Sequence, residues 1–265
     1  MESVLEDIEF LALSANRVTA LTRLAEGPRS RGELAAATGA SQPTLGRILG
    51  DFEERRWVRR TDDGRYVATP TGRLVADGFD ELVDTFETER TLRSVVQWLP
   101  TEGMEFDLRR LRGATITAPS RTRPNAPVQG LLDLLERTDH VRFLSHAFNE
   151  QTLEVVERRT AAGDQRLDGV FSPGAIEALA DDAGLREHLR GLLDTERAEI
   201  RICEAEVPLA VTIADDTVHL LLRDDRGILQ ASLESEDEAV REWALAAHER
   251  YWEGATPLDP SALDG

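Results

Sequence analysis

The sequence has no lysine and a single cysteine. All 31 of its basic residues are arginine, which excludes a P-loop lysine, a Schiff-base lysine and a lysine general base. Cys203 alone excludes an internal disulfide and a zinc site built from cysteines. The five histidines show no tight metal-ligand spacing. We therefore expect no cofactor, no metal site and no catalytic residues, so an enzyme is not expected.

Long apolar runs are also missing. No run approaches the ~18–20 residues that a membrane-spanning helix needs. The first ten residues, MESVLEDIEF, are acidic and lack the basic start of a secretory signal peptide. Hydrophobic residues nevertheless make up 41% of the chain, which is enough for real cores. We expect a cytoplasmic protein with no membrane partner.

Acidic residues are abundant but unevenly distributed. The formal net charge is −19, yet residues 1–75 hold 11 arginines and 11 acidic residues and are neutral. Residues 76–265 carry all of the excess negative charge. In molar salt the Debye length falls to about 3 Å, so the acidity is interpreted as a halophilic adaptation. Acidic residues would repel the phosphates of DNA, so a DNA-binding surface is expected to carry fewer of them.

Two short helices separated by a tight turn are predicted between residues 30 and 55. Ser30 followed by Glu33 is the capping-box pattern that begins a helix. Gly39 suits a turn residue with positive φ. Ser41 caps the second helix, whose first turn accepts proline. This is the pattern of a helix-turn-helix.

Further elements flank this pair of helices. An apolar stripe over 4–13 and a pattern over 17–25 predict two preceding helices. Two β-rich segments, 57–60 and 65–69, surround the turn at 61–64 and predict a hairpin. Helices followed by a hairpin that arginines flank indicate a winged helix-turn-helix.

The second helix of the motif is expected to enter the major groove of DNA. Its apolar residues Leu45, Ile48 and Leu49 face the core, which leaves the polar ones outward. Arginine matches guanine, glutamine matches adenine, and a threonine methyl group can meet that of thymine. Arginines of the hairpin are placed for phosphate or minor-groove contact. The predicted DNA-binding residues are Arg31, Ser41, Gln42, Thr44, Arg47, Arg59, Arg60 and Arg65.

The remainder of the chain is predicted as an α/β domain. Strands at 141–145, 167–171 and 199–205 alternate with helices, and a meander of three strands follows over 209–233. A last helix is predicted over 237–251. Because ligands meet the carboxyl ends of strands in open α/β sheets, polar residues there are ligand candidates. These candidates are His146, Asn149, Ser172 and Glu204.

The predicted organisation is α+β overall, in four segments. The winged helix-turn-helix takes 1–72, and linker helices that serve for dimerisation and coupling take 73–100. An irregular connection rich in proline, threonine and arginine takes 101–126, and the α/β regulatory domain takes 127–265. A helix-turn-helix dimer reads two half-sites about one turn of DNA apart, so double-stranded DNA and a second copy of the chain are the expected partners.

At these residues the chain resembles a family of archaeal regulators along nearly its whole length. The N-terminal run is similar to the winged-helix domain of many such proteins: GPRSRGELAAATGASQPTLGRILGDFEERRWV. The rest resembles the methanogenesis and filament-regulator (FilR-like) family common in haloarchaea. The matching pieces are Trp98-Leu99-Pro100, Phe106-Asp107-Leu108, Ala114-Thr115-Ile116-Thr117, Val207-Pro208-Leu209 and Ala239-Val240-Arg241-Glu242-Trp243-Ala244.

This resemblance implies a transcription regulator with a C-terminal sensing domain. That domain is similar to the phospholipase D-like domain of the TrmB sugar-responsive regulators. Catalytic members of the fold use His-x-Lys with a downstream aspartate, whereas this sequence has His146-Ala147-Phe148, with phenylalanine in place of lysine. The resemblance therefore implies a non-catalytic sensor.

Three functions remain open at the level of the sequence. The first is a homodimeric DNA-binding regulator that senses a small molecule or a partner. The second is an α/β enzyme for small molecules with a winged-helix interaction module, which predicts a tight cluster of titratable side chains in one cleft. The third is a regulator without a ligand pocket, which predicts a filled apolar interior.

Overall fold

A computed structural model describes residues 2–147 and 150–260 of the chain. The chain divides into two compact units, residues 1–86 and 87–265. The fold is mixed α+β, as the sequence predicts. One unit is a winged helix-turn-helix and the other an α/β domain with a large sheet.

The N-terminal unit contains four helices, a short hairpin and the first part of a long helix. These elements are α1 (Glu2–Ala12), α2 (Ala15–Glu26), α3 (Arg31–Thr38), α4 (Gln42–Glu54), β1 (Val58–Arg60), β2 (Tyr66–Ala68) and α5 (Pro70–Leu92). Helix α3, the turn and α4 form the predicted helix-turn-helix, and β1 and β2 form its wing.

Local capping sets the ends of α3 and α4. The Ser30 hydroxyl accepts a hydrogen bond from the backbone N–H of Glu33, and the Glu33 carboxylate accepts one from the backbone N–H of Ser30. Gly39 has a φ of +67° and ends α3 in the left-handed region, as predicted. The Ser41 hydroxyl likewise accepts a hydrogen bond from the Thr44 backbone N–H and caps α4. Each of these signals is local and readable in the sequence.

The apolar faces of α2, α3 and α4 form the core of this unit. Leu34 of α3 and Leu45, Ile48, Leu49 and Phe52 of α4 are all buried there. The predicted inward face of α4 is therefore confirmed. These contacts hold α4 by one face and leave its other face to solvent.

The apolar stripe that predicts helix α1 is mostly exposed in the structure. Of the predicted stripe only Leu11 is buried, while Val4, Leu5 and Leu13 are each more than 60% exposed. The helix is formed as predicted, but most of its apolar side chains have no core to face. An apolar stripe identifies a helix without identifying what covers it.

The wing is an antiparallel hairpin. Val58 pairs with Ala68 and Arg60 pairs with Tyr66, and Gly64 takes a φ of +82° in the turn between them. Arg29 pairs with Tyr66 on the other side through two backbone hydrogen bonds of 2.8 Å. The segment just before α3 thereby anchors the wing to the helix-turn-helix.

One helix replaces two predicted ones after the wing. The sequence predicts helices over 73–86 and 88–99, whereas α5 runs unbroken over Pro70–Leu92 and a 3-10 turn follows at Val96–Trp98. No proline or glycine interrupts the chain around 87, so the helix continues. The division between the units at 86 and 87 therefore falls inside α5, and differs from the boundary expected after residue 72.

The C-terminal unit is built on one mixed sheet of eight strands among the described residues. Its strands are β3 (Thr115–Thr117), β4 (His140–Ser145), β5 (Arg166–Phe171), β6 (Ala198–Ile202), β7 (Ala210–Ala214), β8 (Thr217–Arg223), β9 (Leu229–Ser235) and β10 (Thr256–Pro257). Their order is β10-β6-β5-β4-β7-β8-β9-β3. Strands β4, β5 and β6 are parallel, and every other pairing is antiparallel.

Helices cover both faces of this sheet. One face packs against α6 (Ala126–Leu135), α7 (Glu150–Ala161), α8 (Pro173–Asp181) and α9 (Ala183–Leu193). The other face packs against α10 (Glu238–Glu253) and the segment that contains Leu92, Val95 and Leu99. The strands of the sheet centre are therefore apolar on both sides, as β7 and β8 show.

The segment 101–126 is less irregular than predicted. It forms two 3-10 turns, Thr101–Gly103 and Leu108–Leu111, and then β3, which pairs with β9 at the sheet edge. Leu111 is fully buried in the core under α10. The segment lies within the C-terminal unit and is not a linker between two domains.

The remaining predicted strands and helices of this unit are present within a few residues. The sequence predicts a helix over 173–193 with a break near Gly184, and the structure places the break at Asp182, whose carboxylate caps α9. The sequence did not predict β3 and β10, because edge strands of two or three residues carry almost no periodic signal. Across residues 2–147 and 150–260, no helix is both long enough and apolar enough for a membrane span.

Candidate DNA-binding surface and ligand cavity

The solvent face of α4 carries the side chains that the sequence predicts there. Ser41, Gln42 and Arg47 are exposed and Thr44 is half-buried. The hydroxyls of Ser41 and Thr44 lie 2.9 Å apart, and Ser41 also accepts a hydrogen bond from the Thr44 backbone N–H. Both hydroxyls therefore serve the helix cap, and Gln42 and Arg47 are the free polar groups of this face.

Four of the predicted arginines have no carboxylate partner within 4.0 Å among the described residues: Arg31, Arg47, Arg59 and Arg60. Elsewhere in the same unit some arginines are paired, for example Arg23 with Glu26 at 2.9 Å and Arg55 with Asp7 at 3.1 Å. Arg56 and Arg73 also have no carboxylate within that distance in the described part of the unit, so four of its six unpaired guanidinium groups lie on the helix-turn-helix and the wing strand β1.

Two of these arginines are held by neighbouring parts of the motif. A Cβ atom placed on Gly46 would lie 2.6 Å from Nη2 of Arg31, so the guanidinium of Arg31 lies against α4. The guanidinium carbon of Arg60 lies 5.9 Å from the centre of the Tyr66 ring. Arg31 therefore adds a positive charge to the surface of α4, although it belongs to α3.

The wing tip is more acidic than its arginines suggest. Arg65 lies 3.5 Å from the carboxylate of Asp63, so this arginine is not a free cation like the other four. A hydrogen bond from the Thr61 hydroxyl lowers the pKa of Asp63 below its usual value, and Arg65 lowers it further. Asp62 is exposed beside it. Positive charge on the wing therefore comes from β1 and not from the tip.

The predicted ligand residues do not form one site. The Ser172 hydroxyl accepts a hydrogen bond from the Ala175 backbone N–H and caps α8. Glu204 is exposed after β6. Asn149 lies outside the described residues. Only His146 lies close to a cavity, and its neighbours line that cavity while its own ring does not.

A cavity does open near the carboxyl ends of β4 and β5, between the sheet and α6, α7 and α9. The space that the centre of a water molecule can occupy is about 40 Å³, and the whole space between the lining atoms, open solvent included, is about 620 Å³. Twelve of the described lining residues are apolar, three carry hydroxyls and one is charged. These are Leu131, Phe143, Ser145, Ala147, Thr152, Leu153, Val156, Leu167, Phe171, Leu192, Ile200, Ala210, Val211, Thr212, Leu221 and Arg223.

Arg223 is the charged group of this cavity, and sequence reasoning missed it. Burial lowers the pKa of its guanidinium. Burial also lowers the pKa of His146, and the positive charge of Arg223 lowers it further. The alternation His219, Leu221, Arg223 along β8 was an available signal, because it places these residues on one face of the strand.

This cavity bears on the open alternatives. One titratable side chain among the described lining residues does not make the cluster that an acid–base enzyme needs. A regulator without a pocket would require a completely filled interior, whereas this interior contains the cavity. No group of three or more histidine, cysteine, aspartate or glutamate residues within the described part could hold a metal ion.

The two units match two known families in order. Residues 5–91 match the model of the HVO_A0261 N-terminal domain, and residues 124–254 match that of the middle domain of the methanogenesis regulatory protein FilR1. The two matches follow each other along the chain, and each covers less than half of it. The chain is thus similar to an HVO_A0261-type N-terminal domain joined to a FilR1-type middle domain.

Solved structures resemble the chain at low identity. TrmBL2, an archaeal chromatin protein, is 16% identical, and the alignment covers 95% of this chain and 98% of that protein with a TM-score of 0.42. NucT from Helicobacter pylori is 10% identical over 55% of this chain and 98% of its own, with a TM-score of 0.44. The phospholipase D family member Nuc from Salmonella typhimurium is 11% identical over the same shares, with a TM-score of 0.42. None of the curated proteins matches the sequence.

Proposed function

We propose that this chain is a DNA-binding transcription regulator that acts as a homodimer and whose C-terminal unit senses a small molecule. The observation that carries the proposal is the concentration of unpaired arginines, Arg31, Arg47 and Arg59 with Arg60, on the exposed side of a helix-turn-helix and its wing. The match to a regulatory protein family supports the same class of function.

We propose separate roles for the helix and the wing. The N-terminal half of α4 presents Gln42 and Arg47 together, as a helix that reads base edges in the major groove requires. Arg59 and Arg60 of β1 lie on a different element and suit phosphate contacts that fix the register on the duplex. Base contacts therefore specify the site, and wing contacts position the protein on it.

Dimerisation is proposed through the N-terminal unit, on apolar residues that this unit leaves exposed. Val83 and Phe86 of α5 are 37% and 60% exposed, and Val4 and Leu5 of α1 are more than 60% exposed. Ala76 and Phe79 precede Val83 on the same stripe of α5, at helical spacing, and pack into the core. The exposed end of that stripe suits the surface of a second copy.

Mutation of the reading surface tests DNA binding. Arg47→Ala and Arg59→Ala each remove an unpaired cation, and we expect each to weaken binding to the DNA upstream of the chain's own gene by about 10- to 100-fold, as for a hydrogen bond to a charged group. The binding should be measured by fluorescence anisotropy at fixed, high salt concentration.

Arg23→Ala is the matched control for this experiment. It removes the same charge from the same unit, but Arg23 is paired with Glu26 on α2. Equal losses in all three variants would show a non-specific effect of charge, and unchanged affinity in the Arg47 and Arg59 variants would exclude this surface as the DNA-binding one.

The alternative function, an α/β enzyme with a winged-helix interaction module, has less support. The described part of the cavity contains one charged side chain and three hydroxyls, and the sequence has phenylalanine where catalytic phospholipase D-like enzymes have lysine. We therefore propose that the cavity binds its ligand without transforming it.

A further inference from the structure

The cavity of the C-terminal unit combines one guanidinium with a deep apolar lining. Twelve of its described lining residues are apolar, and they come from the sheet, from α6, α7 and α9, and from Ala147 just after β4. Leu131, Leu153 and Leu192 supply the helical side, while Phe143 and Leu221 supply the sheet side. A ligand that fills this space needs an apolar part, because polar groups would lose their hydration there.

Arg223 is not neutralised by the protein. Among residues 2–147 and 150–260, no carboxylate lies within 4.0 Å of its guanidinium. Its Nη1 donates to the Gly227 carbonyl at 2.8 Å, and its Nε is buried with no hydrogen-bond partner. A half-buried guanidinium in a chain with 50 acidic residues therefore keeps donors free for another anion.

The neighbouring carboxylate is engaged elsewhere. Asp224 follows Arg223 directly, but its oxygens accept hydrogen bonds from the backbone N–H groups of Arg226 and Ile228 and from the Gln230 side chain. These bonds lower the pKa of Asp224 and hold its carboxylate in its own turn. The nearest acidic group in sequence is thus unavailable to Arg223.

The alternation of side chains along β8 places Arg223 on the same face as Leu221, which also lines the cavity. The pairing of β8 with β9 shifts register between Leu222 and Arg223, and the extra residue, Gln230, lies in β9. Such bulges are frequent next to binding sites. Ser145 of β4 and Thr212 of β7 line the same cavity and add hydroxyl groups. With Thr152 and Arg223 they are the polar groups of a described lining that is otherwise apolar.

We propose that this cavity binds a small amphiphilic anion, whose carboxylate or phosphate lies against Arg223 and whose aliphatic part occupies the apolar lining. The proposal rests on the sensing role proposed above and names the chemical class of the effector. Arg223 supplies the charge-assisted hydrogen bonds, and the apolar walls select the length of the ligand's tail.

Hexanoate is a suitable probe. Its binding to the full-length chain without DNA should be measured by titration calorimetry at about pH 7.5, where a carboxyl group is ionised. Acetate supplies the head without the tail, 1-hexanol supplies the tail without the charge, and hexyl phosphate tests the other anionic head. We expect hexanoate or hexyl phosphate to bind, and each methylene between acetate and hexanoate to raise affinity by roughly fourfold. Equal binding of 1-hexanol, or no dependence on tail length, would overturn the proposal.

The variant Arg223→Gln should weaken hexanoate binding by roughly 10- to 100-fold while 1-hexanol is unaffected. Its matched control is Arg226→Gln, which removes the same charge from the exposed turn beside it and should bind normally. Arg223→Lys should retain part of the affinity because it keeps the charge.

A second variant keeps the proposal testable if Arg223→Gln fails to fold, as circular dichroism would show. Ala210→Leu adds volume inside the cavity without changing charge, and should abolish the dependence on tail length. Normal hexanoate binding by this variant would place the ligand elsewhere and overturn the proposal. Absence of hexanoate binding in a chain that still binds DNA would refute this inference alone, whereas hexanoate binding without DNA binding would refute the proposed function alone.

Discussion

The guanidinium of Arg31, in the first turn of α3, lies against Gly46 and places a positive charge on the surface of α4. A Cβ atom at position 46 would lie 2.6 Å from Nη2 of Arg31. The obstacle is the far end of a flexible side chain, which can move aside at little cost. Gly46 thus has no steric role in the core; its absent side chain makes room for a cation.

Gly46→Ala is therefore expected to separate stability from DNA binding. Alanine in a helix interior stabilises the fold by about 0.5–1 kcal/mol relative to glycine. The displaced Arg31 should weaken DNA binding by about 2- to 10-fold, as for one lost hydrogen bond. Urea denaturation and fluorescence anisotropy measure the two effects. Gly50→Ala, on the same helix with no atom within 4 Å of its Cβ position, is the control that should gain stability and keep its affinity.

Gly72→Ala is expected to act in the opposite direction. A Cβ atom there would lie 1.8 Å from the carbonyl oxygen of Trp57. That carbonyl is held by a 2.8 Å hydrogen bond from the Thr69 backbone N–H, so it cannot move aside easily. We expect a loss of about 1–3 kcal/mol or more in unfolding free energy.

Gly78→Ala on the same helix tests the cause of that loss. Nothing lies within 4 Å of its Cβ position, and the variant should gain about 0.5–1 kcal/mol. If both variants were equally stable, the close approach of Gly72 to Trp57 would not exist in solution.

His219 should make the C-terminal unit sensitive to acid. Burial lowers the pKa of its imidazole from 6.5 to about 4, so the unfolded chain takes up the proton first as the pH falls. The contribution of neutral His219 to the free energy of unfolding is fully present above pH 6.5. It is lost as the pH falls from 6.5 to about 4, because protonation then favours the unfolded chain. The difference between the two pKa values corresponds to a loss of about 3 kcal/mol.

His219→Gln removes this titration and preserves much of the side-chain volume. Between pH 7 and pH 4 we expect the variant to lose about 3 kcal/mol less than the parent chain, measured by urea denaturation at each pH. Parallel curves for the two proteins would contradict the assignment, because carboxylates common to both would then account for the whole pH dependence.

The exposed apolar residues of α5 should hold the proposed dimer. Phe86→Glu places a charge at a position that is 60% exposed in the single chain, and should shift the protein to monomers in sedimentation velocity because an unpaired charge is costly to bury in an interface. Leu74→Glu changes a residue that is 72% exposed and lies on the opposite side of α5 from Val83, so it should leave the dimer intact. A parent chain that is monomeric at all concentrations would refute the dimer itself.

The neutral charge of the N-terminal segment predicts a weak salt dependence of DNA binding. Four unpaired arginines act in each copy, but Asp62 and Asp63 lie at the wing tip. We expect log K to fall with log salt less steeply than for a mesophilic relative, because the slope is roughly −0.9 for each phosphate that the protein neutralises. Asp62→Asn should tighten binding and steepen the slope, and a steep slope in the parent chain would contradict the prediction.

Local signals in the sequence determined much of the N-terminal unit. Ser30 with Glu33, Gly39 and Ser41 define the helix-turn-helix because each acts on the backbone within four residues of itself. The alternation of buried and exposed residues along α4 then places Arg47 at the surface. Interactions of such short range leave a readable pattern in the chain.

Longer elements were less predictable. Whether two helical patterns join into α5 depends on what packs around residue 87, and a short edge strand such as β3 exists only because β9 offers it a partner. The apolar stripe of α1 shows the opposite case. Its periodicity is present in the sequence, but Leu11 is the member of the predicted stripe that the described core buries. An apolar pattern in the sequence corresponds to buried side chains only where another element of the fold packs against it.

The ligand cavity was decided by the tertiary structure, since the alternation along β8 gives the face on which Arg223 lies but not what that face contacts. Ser145, Thr212 and Arg223 belong to three different strands and line one cavity because β4 pairs with β7 and β7 with β8. Ser172 and Glu204 occupy equally suggestive positions in the sequence, yet one caps a helix and the other faces solvent. Strand order, the register shift at Arg223 and the choice of carboxylate partners are set by contacts between distant residues, and no local pattern encodes them.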